Sequence, residues 1–307
     1  MKLSILDQSP ILDGASAKQA LEETIELAKL ADGKGYHRYW VAEHHGMAQL
    51  ASPSPDILLA IIGSQTSTIR IGAGAVLLPN YRAFPVAERY QMLASLFPGR
   101  IDLGIGRAPG GSAEASIALA GDFLSKVKNM PTLIDELLHF LYDDFPEDNL
   151  YSKIDISPQS PEPPQPWLLG TSERSAVLAA EKKLAYVFGH FMTDSDGPKI
   201  TRKYQHLTGN TKPIIVAVSV ICGETEEEAF QLAKEASMWN QKDTSIEEDN
   251  QNNDIFSNMI IGDPVQVKEQ LQTLQQLYQC DELMILTITS NYQDRKKSYE
   301  RIANICL

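Results

Sequence analysis

Short apolar runs alternate along this chain with longer stretches in which apolar residues recur every three or four positions. "LSIL" (3–6), "RYWVA" (38–42), "IRIGAGAVLL" (69–78) and "RIDLGIG" (100–106) read as four strands. "PWLLG" (166–170), "AYVFG" (185–189), "PIIVAVSVIC" (213–222) and "ELMILTIT" (282–289) read as four more. Between them, Leu21, Thr24, Ile25, Ala28 and Ala31 mark a helical face. Ser54 before Pro55 predicts a capped helix through about Gln65. Further helices are predicted over Phe84–Leu96, within 131–143, over Glu173–Lys183 and near 196–207. Thr225 with Glu228, and Asp263-Pro264 with Gln266, are capping-box signatures for two more. The second of these carries the face Val267, Leu271, Leu274 and Tyr278, and a last helix ends the chain.

Eight strands alternating with helices predict an α/β fold of the (β/α)8 TIM-barrel type, one domain over 1–307 with loop insertions. A doubly wound sheet is the alternative, but it usually has fewer units. Two segments break the rhythm. "SPQSPEPPQP" (157–166) holds too many prolines for helix or central strand. "QKDTSIEEDNQNND" (241–254) is polar and acidic, a candidate mobile loop over a site.

Composition narrows the function classes. An apolar content of 43% supplies a sizeable core, and a formal charge of −13 disfavours a nucleic-acid or anionic-membrane surface. Cys222, Cys280 and Cys306 are too few and too scattered for a disulfide framework or a thiolate zinc site, which fits a reducing cytoplasm. "MKLSILDQSP" meets Asp7 and Pro10 before a signal-peptide core can form, and "ILLAII" (57–62) is too short to cross a bilayer.

In a barrel, chemistry gathers where strands end at the C-terminal face. After strand two stand Glu43, His44 and His45. A metal site there is disfavoured, because neighbouring side chains on an extended segment point opposite ways. Proton transfer and a structural corner remain open. "LGIGRAPGG" is a poor dinucleotide fingerprint, yet Arg107 on a glycine-lined strand end suits a phosphate. In "GTSERSAVLAAE" a glycine leads through Thr171, Ser172 and Ser175 into a helix, whose N-terminus offers unpaired N–H groups to an anion. Plain capping is the competing explanation. The small residues of "GAGAVLLPNY" (72–81) mark either tight barrel packing or a surface where something flat lies close.

"VAEHHG", "IRIGAGAVLLPNYRAFPVAERYQMLASLFPGRIDLGIGRAPGG", "GTSERSAVLAAEKKLAYVFGHF" and "IIGDPVQVKEQL" together resemble the bacterial luciferase-like, flavin-dependent monooxygenases, in the branch of unassigned substrate. The resemblance covers nearly the whole chain. It implies a (β/α)8 barrel that binds FMN reduced by a separate flavin reductase, acts with O2 as co-substrate, and inserts one oxygen atom into a small apolar organic substrate. By motif it gives His44 the active-site base or acid. It makes Arg107, Ser172 and Ser175 phosphate contacts. Thr171 stands in the same helix-start stretch, and Arg174, to which the family assigns no role, is an extra phosphate partner by its position beside Ser175. It sets Gly74 and Ala75 at a non-prolyl cis peptide beneath the flavin ring. It also implies a homodimer paired through helices near strands two and three. The chain departs from the luciferases proper at Gly106, where they carry cysteine, which puts light emission and an aldehyde substrate in doubt. A catalytically silent flavin-binding protein, and a deazaflavin-dependent oxidoreductase on the same barrel, stay open as alternatives.

Overall fold

The computed structural model describes residues 1–241, 256 and 258–307. The polar segment expected to form a loop at 241–254 thus lies, after its first residue, outside the described residues. The strands are β1 (Leu3–Asp7), β2 (Arg38–Val41), β3 (Arg70–Leu77), β4 (Ile101–Gly106), β5 (Gln165–Gly170), β6 (Ala185–Gly189), β7 (Ile214–Cys222), β8 (Met259–Gly262) and β9 (Glu282–Leu286). All ladders between them are parallel. The ring runs β1-β2-β3-β4-β5-β6-β7-β9 and closes when β9 pairs with β1. This is the (β/α)8 barrel. β8 is extra: it pairs with the end of β7, Ser219 to Cys222.

The helices wrap the ring in chain order: α1 (Ala17–Lys34), α2 (Pro55–Gln65), α3 (Ala83–Leu96), α4 (Ala113–Ala120), α5 (Phe123–Lys128), α6 (Met130–Tyr142), α7 (Glu173–Glu181), α8 (Gly197–Thr208), α9 (Glu226–Gln241), α10 (Pro264–Tyr278) and α11 (Tyr292–Cys306). The Asp263/Gln266 capping box forms, and Thr225 accepts from the Glu228 N–H. Ser54 makes no side-chain cap bond, so α2 starts on Pro55 alone. The proline-rich segment is irregular up to Gln165, where β5 begins one residue earlier than the sequence predicts.

The barrel interior is graded from charged to empty. At its N-terminal end Arg38 bridges Asp102 (2.7 Å) and Glu282 (3.0 Å), while Arg70 closes on Asp102 (2.6 Å). One layer up, Trp40 and Trp167 meet edge to face at 5.8 Å, and Trp40 donates to Asp102 (3.1 Å). Gly72 makes room for this: a Cβ there would lie 2.8 Å from the Trp40 indole nitrogen. Alternation on β2 turns Arg38, Trp40 and then Ala42 to one side. Above the tryptophans the lining shrinks to small and aliphatic residues, so the C-terminal mouth is open.

Candidate active site

That mouth is a cavity of about 470 Å³, in the range of small-molecule sites. His44, Gly74, Ala75, Arg107, Thr171, Ser172 and Ser175 all line it. Leu6, Leu169, Val187 and Met284 supply apolar wall, and Phe123, Leu124 and Val127 of α5 cover one side. A second cleft of about 340 Å³ adjoins at Arg107 and Ser175 and adds Lys128 and Arg174. The tertiary structure therefore brings all the expected site residues together, Arg174 from the adjoining cleft. Lys128 and the α5 side of the cavity were not legible in the sequence.

The phosphate-suited end is built by β4, β5 and α7. Arg107 follows the last residue of β4 on an exposed loop. Among the described residues the side chains of Arg107, Lys128 and Arg174 have no hydrogen bond or ion pair, although the chain carries −13 overall. Glu173, the nearest acid on α7, is held by Lys203. Ser172 caps α7 and accepts the Ser175 N–H (3.3 Å). The Ser175 hydroxyl donates to the Ser172 carbonyl (2.7 Å) and meets the Tyr186 hydroxyl (2.9 Å). It accepts the Ser172 N–H as well (3.2 Å). Both serines thus build the start of α7, and Ser172 has fewer bonds than Ser175. Burial pushes the Tyr186 phenol up to about 12, against the pull of the Ser175 hydrogen bond and the positive Arg107.

At the other end His44 follows β2. Among the described residues its ring Nδ1 is buried without a partner, while its backbone N–H donates to the Ser52 carbonyl (2.9 Å). Burial, and then the neighbouring His45, hold its pKa down at about 4, so the ring is neutral at neutral pH. Glu43 and His45 are joined to each other instead (2.8 Å). The Gly74–Ala75 peptide is cis and forms part of the cavity wall. Gly74 answers two demands. A Cβ there would lie 2.7 Å from Leu6 and 3.1 Å from Trp40, and its own face borders the cavity.

These features fit a flat, largely apolar ring system with an anionic tail. The walls are apolar, unpaired cations and a helix N-terminus stand at one end, and an unpartnered imidazole nitrogen stands at the other.

Comparison with known proteins gives the family. A family model described as luciferase-like monooxygenase matches residues 1–279. The N-acetyl-S-alkylcysteine monooxygenase of Bacillus subtilis (strain 168) is 33% identical, covering 100% of this chain and 98% of its own. A luciferase-like monooxygenase of Escherichia coli (strain K12) is 32% identical over 97% of this chain and 94% of its own. The solved structure of apo-MsnO8 superposes with a TM-score of 0.88 at 32% identity, covering 99% of this chain and 98% of that one. With a family model spanning β1 to α10 and full-length relatives at this identity, the chain belongs to the luciferase-like monooxygenases, flavin-dependent enzymes that act with O2.

Proposed function

We propose that this protein is an FMN-dependent monooxygenase that takes reduced FMN from a separate reductase and transfers one oxygen atom of O2 to a small, neutral, apolar organic molecule. The observation that carries the proposal is the juxtaposition, on one cavity, of unpaired cations beside the α7 N-terminus and a neutral His44 with a free ring nitrogen. Arg107 and the first N–H groups of α7 would hold the phosphate, with Ser172, Thr171 and Arg174 at its sides. Ser175 keeps the helix start in shape. Gly74 and Ala75 leave space for the ring system. Reduced flavin, when bound, supplies the electrons that activate O2.

The chain's own part is to bind, to exclude water and to move a proton. Leu6, Leu169, Val187 and α5 keep the cavity apolar, which strengthens every polar interaction inside it. His44, unprotonated at neutral pH, accepts a proton at its ring nitrogen or returns one to the site. A cytoplasmic setting and a homodimer complete the reading. No described helix is long and apolar enough to cross a membrane. Ile57 and Ile61 lie one turn apart on α2, and Met92 and Leu96 one turn apart on the adjacent α3; all four are exposed. A second copy of this chain is the occupant we assign to that apolar face.

Purified protein is titrated with oxidised FMN by fluorescence. Photoreduced FMN with the protein is then mixed with aerated buffer. Binding, together with a reoxidation course different from free FMN, is expected. An unperturbed flavin spectrum defeats the proposal. His44→Ala should bind FMN and lose turnover on a substrate found by screening; retained turnover removes His44 from its role.

A further inference from the structure

His44 has no partner on its ring Nδ1, and Arg107 rides on an exposed loop, so something else must fix where the two point. Glu43 is the candidate. It is buried, at 3% exposure, yet its carboxylate gathers three partners, one from its own segment and two from the end of β3 and the turn after it. One oxygen accepts the Leu77 N–H at the end of β3 (3.1 Å). The other meets the Tyr81 hydroxyl (2.9 Å) and His45 Nε2 (2.8 Å). Leu77 is two residues past Ala75 on the strand that walls the cavity.

The reach extends to the Arg107 loop. The His45 N–H donates to the Gly110 carbonyl (2.7 Å). Gly110 and Gly111 let that loop press close. A Cβ at Gly110, where φ is +71°, would lie 2.1 Å from Leu77, and one at Gly111 would lie 2.1 Å from the His45 carbonyl. Outward, Arg89 of α3 stacks over the Tyr81 ring (5.2 Å) and bonds Asp56 of α2 (3.0 Å). On an extended segment, residues i and i+2 share a side and residue i+1 takes the other. Pinning Glu43 and His45 on one side therefore aims the His44 ring to the opposite one.

We propose that Glu43 is a positioning residue: through Leu77, Tyr81 and His45, its carboxylate locks the His44 segment, the end of β3 and the Arg107 loop into one unit. The proposal rests on the FMN reading above for its functional meaning, not for its geometry. The carboxylate can accept from all three partners, but an isosteric amide keeps the Leu77 bond only by turning its NH2 toward Tyr81 and His45, and the Tyr81 hydroxyl and His45 Nε2 must then both act as acceptors.

The test is Glu43→Gln, read in two arms. In flavin-free protein, hydrogen exchange by mass spectrometry should quicken at least tenfold at the His45 and Leu77 amides. Strands at the far end of the barrel should keep wild-type protection. In the second arm FMN should bind at least tenfold more weakly, in a variant whose thermal midpoint stays within a few degrees of wild type. A purely structural role would lower the midpoint and leave FMN affinity alone. Unchanged exchange at both amides overturns the proposal, as does wild-type FMN affinity in the folded variant. Should Glu43→Gln fail to fold, Tyr81→Phe decides. It withdraws one donor, and threefold faster exchange at His45 supports the proposal while no change overturns it. If wild-type protein binds no FMN, the functional reading fails, and the exchange arm still judges the lock.

Discussion

Arg107→Met gives the sharpest check on where a phosphate would sit. The substitution keeps a long, flexible side chain and deletes the charge. Hydrogen bonds to charged groups contribute about 1.5–3 kcal/mol each. Arg107 is exposed at the cavity rim, so the low part of that range, about 1.5–2 kcal/mol, is the appropriate value. At about 1.4 kcal/mol per tenfold, FMN affinity should fall roughly 10- to 30-fold. Lys128, Arg174 and the α7 N-terminus remain, and they keep binding measurable. Riboflavin has the same ring system without the phosphate, so its affinity should change less than about twofold. Fluorescence titration of both ligands at two salt concentrations tests this. The FMN affinity of the variant should also depend less on salt, because one fewer cation is being screened. Two results would refute the reasoning: an FMN affinity within threefold of wild type, or a parallel loss for riboflavin.

Further outcomes follow from other parts of the molecule. Because burial holds the folded pKa of His44 at about 4, the unfolded chain binds a proton there between pH 6.5 and 4 that the folded chain does not. This group's contribution to stability is therefore full above pH 6.5 and declines as pH falls toward 4, by roughly 3 kcal/mol in all. Urea midpoints at pH 7 and pH 4.5 should differ less in His44→Gln than in wild type; equal differences would contradict the buried, neutral ring. Arg295 of α11 is paired with the fully buried Asp7 at 2.8 Å. Arg295→Met strands that carboxylate and should cost about 3–5 kcal/mol of stability by urea denaturation; a loss below 1 kcal/mol would show that Tyr39 and the Ser9 N–H suffice. Ile61→Glu with Met92→Glu should leave the circular dichroism spectrum unchanged and shift sedimentation from dimer to monomer. An unchanged sedimentation coefficient removes the α2/α3 face from consideration.

The barrel was legible because its strands are buried on both faces and so appear as near-continuous apolar runs. β6 begins and ends where the sequence predicts, and most other boundaries shift by a residue or two. β8 was missed because four residues leading straight into the Asp263 cap carry too little pattern to stand out. Helices α4 and α5 were missed for a different reason. Periodicity marks a helix only when one face is buried, and α4 buries Ser116 alone while α5 buries nothing fully. Their position over the mouth is a tertiary fact.

At the site, the sequence by itself determined the ingredients: the EHH corner, a glycine-rich strand end bearing Arg107, and a serine-capped helix. It also determined the order of the strands that carry them. Only the closed barrel decided which ingredients meet. Lys128 joins Arg107 and Arg174, and Tyr81 reaches Glu43. At the base, Glu282 finds Arg38 across 244 positions of chain. The physical reason is that periodicity and capping are local, set within a few residues by backbone geometry. The direction of a side chain and the burial of a charge depend on ring closure, which brings distant segments within hydrogen-bond reach and shuts out water.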